Sequence, residues 1–396
     1  MNISNGRMFS LNYPGAWTKQ AKAEMAKLRM RVEPIVEIMQ HKGDSECRNG
    51  LPGVQGGVDE FCDFEKMEDT IFRNRNDGDA QVGECYEGPG AHWVPHLGPS
   101  CLSRQSYART ALIEGLRQEA EIGVNPFKFG ISASTDTHSA IGGAVDEDNF
   151  PGHLGRTDAK IPGRITLESN NTGGMSTNPG GLIGVWAEEN TRDAIFDAMQ
   201  RREVFGTSGP RMKIRLNGGW NYDETLCDNP NRRTIADANG VSMGQDLPNQ
   251  GDASAAPQFL VEAQADPGGY SVAQGNHLQR VQIIKGWIGD DGEHHQKVYD
   301  VAGSPNNGAT VNFDTCEPIG DGHRNLCSVW RDPDFDAKKR AVYYARAIEN
   351  PSCRYSQYDC ISLPEDQRPA ACSSPDYPKA IQERAWSSPI WYTPET

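Results

Sequence analysis

The sequence predicts a mixed α/β region followed by an antiparallel β-sandwich, dividing near residue 205. Three observations carry this. Helix-period segments alternate with short apolar runs as far as Arg202, and after Thr207-Ser-Gly-Pro-Arg211 the apolar period falls to two. The 42 Gly and 25 Pro describe a loop-rich chain, not a helical bundle. At 396 residues the chain is long enough for two domains with their own cores, placed at 1–204 and 205–396.

Thr18 to Met30 is rich in Ala, Lys, Glu and Met and reads as a helix stopped before Pro34. Val36 opens a short apolar strand. Asp63 to Phe72, with acidic residues in its first turn, reads as a second helix. Ser103 to Ile122 is the clearest helix: Ser103 caps it, Ala108, Leu112 and Leu116 form its apolar stripe, and Gly123 ends it. The strand-like run Phe127 to Ser134 follows at once, the helix-loop-strand unit of an α/β barrel. Ser139 to Gly184 is a long Gly/Asn/Thr-rich stretch containing His153, expected as a lid or substrate wall because it departs directly from Asp136 and His138. Asn190 or Thr191 then caps a helix from Arg192 to Arg202 with Ile195, Ala198 and Met199 on its core face. Beyond it, Met212–Leu216, Phe259–Ala263, Val281–Trp287 and Ala341–Ala347 alternate and carry β-branched and aromatic residues between turn clusters, which is the pattern of a sandwich. His294, His295 and His323 fall in turns of this region and read as surface residues, since adjacent histidines in extended chain point to opposite faces.

Chemistry concentrates at the ends of two strands. Asp136-Thr-His138 follows Phe127–Ser134, and side chains two apart in extended chain point the same way, so the carboxylate and imidazole can face one divalent metal. Upstream, Val36-Glu-Ile-Met-Gln-His-Lys-Gly-Asp-Ser-Glu46 runs into a polar cluster. Two strands that each end in His and carboxylates read as walls of one site.

These segments carry a resemblance. Asn2–Phe9, Val36–Cys47, Cys62-Asp-Phe-Glu65, Gly123–Gly130, Ser134–His138, Gly184–Asn190, Thr207–Arg211 and Glu383–Trp391 resemble the DUF3604 family, from the first residues to the last. That family is similar to the PHP superfamily of metal-dependent phosphoesterases, and more loosely to carbaryl-hydrolase-type metallohydrolases. The resemblance implies a PHP-like (β/α)7 barrel with two or three metals held by His, Asp and Glu. It carries two metal ligands over, Asp136 and His138. Family members begin with a His-x-His strand ahead of an Asn-rich segment, whereas this chain starts at Met1-Asn-Ile-Ser-Asn-Gly. The expectation is therefore an incomplete barrel that binds metal weakly and turns over little.

Composition narrows the partners. The net charge of −15 argues against nucleic acid or anionic membrane and favours a small-molecule substrate. No run approaches the ~18 apolar residues of a membrane span. Nothing in the sequence sets an oligomeric state. The ten cysteines form no Cys-x2-Cys pair and lie in loops, which favours disulfides and a periplasmic or extracellular compartment. Cys47 with Cys62 and Cys353 with Cys360 are the cheapest loops to close.

The chemistry these readings imply is metal-assisted hydrolysis of a phosphoester or related ester or amide by zinc, manganese or iron. Asp136 and His138 are the expected ligands, His41 and Glu46 are placed to orient water or substrate, and Lys42 or Arg7 can neutralise developing charge. No Gly-x-Ser-x-Gly and no phosphate loop with Lys-Ser/Thr is present, against a serine hydrolase or a nucleotide-driven transferase. The competing class is a binding or accessory protein that keeps the fold without turnover.

Overall fold

The computed structural model describes residues 6–66, 103–155, 157–166, 174–175, 177–248, 255–268, 275–375 and 378–394. α1 (Lys19–Val32) begins where the Thr18 hydroxyl accepts from the Ala21 N–H, and ends at Glu33 ahead of Pro34. β1 (Ile35–Gln40) and β2 (Gly43–Asp44) form a hairpin that turns on His41 and Lys42. Gly43 has φ +90°, and a Cβ there would lie 1.4 Å from the Glu65 carbonyl oxygen, so the turn admits only glycine. β3 (Val54–Gln55) follows. The helix expected from Asp63 does not start: residues 63–65 are turn and Lys66 makes a single bridge to Gly43. Glu65 adopts a left-handed φ of 43°, which helical geometry excludes, and its carbonyl accepts the Asp44 N–H. The remainder of that expected helix, to Phe72, lies outside the described residues.

Ser103 caps a 3-10 turn at Arg104–Ser106 that leads into α2 (Ala108–Ile122), and Gly123 ends it at φ 79°. Ala108, Leu112 and Leu116 are buried, as their stripe predicts. β4 (Gly130–Ala133) pairs parallel to β1, with Ile35 opposite Gly130. A single turn, α3 (Ile161–Arg164), precedes β5 (Leu182–Val185), α4 (Arg192–Gln200) and β6 (Val204–Thr207). Thr191, not Asn190, caps α4.

The second half supplies β7 (Lys213–Gly219), α5 (Arg232–Ala238), β8 (Gly240–Ser242), β9 (Gln258–Gln264), β10 (Leu278–Ile288) and β11 (His294–Gly303). The short pair β12 (Thr310–Val311) and β13 (Pro318–Ile319) precedes β14 (Asn325–Arg331) and β15 (Ala341–Glu349). After β16 (Ser352–Cys353) and α6 (Tyr355–Ser362) come β17 (Ala380–Ile381), β18 (Arg384–Ser387) and β19 (Ile390–Tyr392).

The large sheet runs β3-β11-β10-β15-β18-β6-β5, with β19 also beside β15. A second sheet runs β14-β9-β7-β8, and a third β2-β1-β4. Successive side chains of a strand point to opposite faces, so β10 and β15 feed two cores. Ile283, Tyr343 and Ala345 meet Ile214, Leu216, Phe259 and Val261 of the second sheet. Ile284, Val342 and Tyr344 meet Leu112 and Ile113 of α2, with Ile38 and Ile131 of the third sheet. Among the described residues no barrel closes; parallel strand pairing is found between β1 and β4 and between β3 and β11, with one isolated parallel bridge from Asp246 to Trp391. β6 straddles the 204/205 division and pairs with both β5 and β18, so the large sheet draws on both regions.

Disulfides join Cys47 to Cys62, Cys227 to Cys327, Cys316 to Cys353 and Cys360 to Cys372. The expected Cys47–Cys62 pairing is present and the Cys353–Cys360 pairing is not. Cys353 ends β16 while Cys360 lies on α6, and each finds its partner in another segment, Cys316 or Cys372. Thiol titration of the denatured, unreduced protein should find at least these eight thiols blocked. Reductant should lower Tm, each lost bridge costing roughly 2–5 kcal/mol. Ten reactive thiols would overturn this. No helix among the described residues is long and apolar enough to cross a membrane.

Candidate metal centre

The parallel pairing of β1 with β4 brings their C-terminal ends to one edge, with Met39 opposite Ala133 and the Met39 carbonyl accepting the Ser134 N–H. His41 therefore emerges beside the segment carrying Asp136 and His138. Asp136 takes a left-handed φ of 49° and sets its Oδ2 3.3 Å from His41 Nδ1 and its Oδ1 3.8 Å from His138 Nε2. Asp and Asn tolerate this conformation better than other L-residues.

A third imidazole completes the group. The His138 N–H donates to the His153 carbonyl at 2.9 Å, and the His153 ring stacks on His41 with centroids 3.5 Å apart. The His138 ring lies 4.5 Å from His153. Asp158 fixes His153 by accepting from three successive backbone N–H groups, His153 at 2.5 Å, Leu154 at 2.9 Å and Gly155 at 3.0 Å. The His41 carbonyl accepts the Asn178 N–H at 3.0 Å, so the end of the 139–184 stretch closes over the turn. Gly180 permits the approach: with φ +86°, a Cβ there would lie 2.7 Å from the Ser134 carbonyl oxygen.

His41 and His153 are buried, whereas the side chains of His138 and Asp136 are 59% and 38% exposed, which leaves the group open on one side. Burial first, then the neighbouring His153, Lys42 and His138, lowers the His41 pKa to about 3. Burial and His138 lower that of His153 as well. Both rings are therefore neutral at physiological pH, the form that ligates metal. His41 Nδ1 and both ring nitrogens of His153 are buried without a hydrogen-bond partner among the described residues. An unpaired buried polar group costs about 1–3 kcal/mol, and a divalent cation could take up His41 Nδ1 and one of the two His153 nitrogens. Three imidazoles and one carboxylate are donor types that zinc, manganese and iron take, although their ligand atoms are not drawn together within 4.8 Å of one another, as those of Cys47, Asp59 and Cys62 are.

The structure thus unites His41, Asp136 and His138, with Lys42 following His41 in the turn, and adds His153. A histidine in a stretch leaving directly from the ligand pair was its one signal in the sequence. Arg7 lies next to Gly6, whose N–H is held by the Ser106 hydroxyl at the head of α2. Glu46 is elsewhere in role, because its carboxylate is consumed by a buried ion network. Arg346 Nη1 donates to both its oxygens at 3.0 and 2.9 Å, Trp386 Nε1 donates at 2.7 Å, and Arg109 and the Tyr344 hydroxyl also donate. Asp59 shares the two arginines at 2.8 and 3.0 Å. Burial opposes ionisation of Glu46, but Arg346 and Arg109 outweigh it and hold its pKa at about 2. Glu46 is therefore no water-orienting base. Cys47, Cys62 and Asp59 also bring potential ligand atoms together, but the sulfurs are joined in a disulfide and Asp59 is bonded to both arginines.

His294 corrects the surface reading. It begins β11, is buried and lies 2.9 Å from Glu114 of α2, while His295 points the other way to Asp291. His323 bridges Leu278.

A buried carboxyl group adjoins the turn. Arg354 forks onto Glu65 with two 2.8 Å bonds and also donates to the Met175 and Thr177 carbonyls, which ties the loop over His41 to the core. Burial pushes Glu383 up to about 8; the Ser208 hydrogen bond opposes this, and the charges of Glu349 and Glu65 add to it. Burial and Asp266 push Glu349 to about 8. Both folded values exceed the ordinary 4.5, so the native state holds these protons more tightly than the unfolded chain. Their contribution to stability is full below pH 4.5 and is lost as pH rises through about 8. Urea midpoints should fall between pH 5.5 and 9, and Glu349→Gln with Glu383→Gln should flatten that fall; an unchanged slope in the double variant would refute the assignment.

The protein family of unknown function DUF3604 matches residues 1–394. The chain belongs to the DUF3604 family. Comparisons with curated proteins and with solved structures found no match. The family segments converge in space: His41 and the Asp136–His138 run build the histidine group, and Glu46 meets Trp386 in the ion network.

Proposed function

We propose that this DUF3604 member is a metal-dependent hydrolase of the PHP type, acting on a phosphoester or related ester or amide of a small molecule. The observation that carries the reading is the grouping of His41, Asp136, His138 and His153, with buried, unpaired ring nitrogens on His41 and His153. His41 and His153 add two imidazoles to the two ligands expected from the sequence, Asp136 and His138, where weak binding was expected. A bound divalent metal supplies a water of lowered pKa and polarises the oxygen under attack. His41 and His153 remain neutral and hold their lone pairs for ligation under the loop that Asn178 closes. Asp136 offsets positive charge, and with His138 it forms the solvent-facing side through which substrate enters. Lys42, beside His41, is placed to balance an anionic leaving group. The disulfides fit action in an oxidising compartment, periplasmic or extracellular.

Calorimetric titration of chelator-stripped protein with zinc, manganese and ferrous iron, followed by assay on nitrophenyl phosphate and nitrophenyl acetate, tests the reading. Stoichiometric binding and metal-dependent turnover are expected. No binding would remove the metal centre, and binding without turnover on any ester would favour a non-catalytic role.

A further inference from the structure

The outer face of the second sheet carries a basic cleft that the hydrolase reading does not use. Register places Lys213 of β7 opposite Gln264 of β9, which is opposite Asn325 of β14. The next row on that face is Arg215, Glu262 and Cys327. Residues two apart share a face, so these two rows form one floor, while Ile214 and Ala263 turn into the core. The Cys227–Cys327 disulfide pins the chain ahead of α5 against β14, and α5 then presents Arg232 and Arg233 as one wall. Trp186 also lines the cleft, its indole N–H fixed on the Ile214 carbonyl at 3.0 Å. The cleft, open to solvent, has a volume of about 410 Å³.

The charge of this cleft runs against the molecule. The chain carries −15, yet the cleft is lined by Lys213, Arg215, Arg232 and Arg233 against one carboxylate, Glu262. Arg232 and Arg233 both bond Glu262, at 2.6 and 2.8 Å, and Asp237 offsets Arg215 from outside the cleft at 3.1 Å. Positive charge therefore remains in excess. Lys213, Gln264 and Asn325 form an exposed row, which puts one ammonium and two amides within reach of a ligand from solvent. Arg215 and Arg233 also flank the Trp186 ring, at 5.5 and 5.3 Å from its centroid, which holds their forks in place before a ligand arrives.

We propose that this cleft is a binding site for an acidic sugar, one whose ring carries a carboxylate, sulfate or phosphate. The cations match the acid group, the exposed amides match ring hydroxyls as donors and acceptors, and the volume lies in the range of small-molecule sites. The cleft stands independently of the histidine group. Its ligand is held, not transformed: among the described residues the one carboxylate lining it, Glu262, is paired to Arg232 and Arg233.

The test is calorimetric titration of the intact chain at low salt with glucuronate, a glucose phosphate, inorganic sulfate and neutral glucose. Saturable binding of the two acidic sugars is expected, weakening as salt is raised. Lys213→Glu should weaken it roughly tenfold or more, as should Arg233→Gln, given the strength of charge-assisted hydrogen bonds. Lys213 is exposed, so its replacement should leave Tm unchanged. His138→Ala should leave sugar binding intact, which separates this site from the fate of the hydrolase reading. Glucose binding as tightly as glucuronate, or sulfate as tightly as either acidic sugar, would overturn the acidic-sugar assignment. So would acidic sugars that fail to bind, or that bind Lys213→Glu with undiminished affinity.

Discussion

Arg346→Met is expected to destabilise the protein by about 3–5 kcal/mol, the usual cost of breaking a buried ion pair by removing one partner. Arg346 is fully buried at the centre of the large sheet and reaches Glu46, Asp59 and Gln282 at once. Without it, Arg109 alone would face two carboxylates that are both sealed from water. Methionine fills much of the arginine stem's volume, so the loss reports the missing charge more than a cavity. Acid unfolding should move with it. The Glu46 pKa of about 2 lies below its ordinary 4.5, so its contribution is present above pH 4.5 and is lost as pH falls through 2. Removing Arg346 raises that folded value and brings acid unfolding to higher pH. Urea unfolding at neutral and acidic pH measures both effects. A variant within about 1 kcal/mol of wild type, the range of an exposed pair, would show that the network is dispensable.

The second large effect concerns activity. On the proposed function, His138→Ala and Asp136→Asn should each remove most bound metal and lower kcat/KM by at least about 100-fold, since a bound metal would supply both nucleophile and charge stabilisation. Both side chains are substantially exposed and contribute little packing, so Tm without metal should stay near that of wild type. His153→Ala should also abolish tight metal binding, although the sequence placed it only in a lid or substrate wall and not among the ligands. Metal content by elemental analysis and initial rates decide the matter. Full metal and full turnover in both Asp136→Asn and His138→Ala would remove the proposed centre.

Local signals were legible in the sequence because they depend on neighbours a few residues away. The Ala108, Leu112, Leu116 stripe, the Gly123 stop and the alternating runs of β7, β9, β10 and β15 all appear where periodicity placed them. The alternation of His294 and His295 was right as geometry and wrong as burial, because α2 sets Glu114 against one of them. The helix expected at Asp63 failed because Glu65 is held to Asp44, a contact no local propensity encodes.

The sequence by itself determined the strands that lead to His41 and to the Asp136–His138 segment, and the oxidised cysteine chemistry, but not the left-handed backbone at Asp136, which breaks the extended spacing expected of that pair. Only the tertiary structure decided that β5 and β6 share a sheet with β18, that Cys353 pairs with Cys316, and that His153 stacks on His41. It likewise moved Glu46 from a presumed site to a core network, by setting it against Arg346 and Trp386, which lie 300 and 340 residues away in sequence. The physical reason is range. Helix and strand periods are written by contacts within a turn or two, whereas buried charges and ring stacks are fixed by segments that meet only when the sheets close.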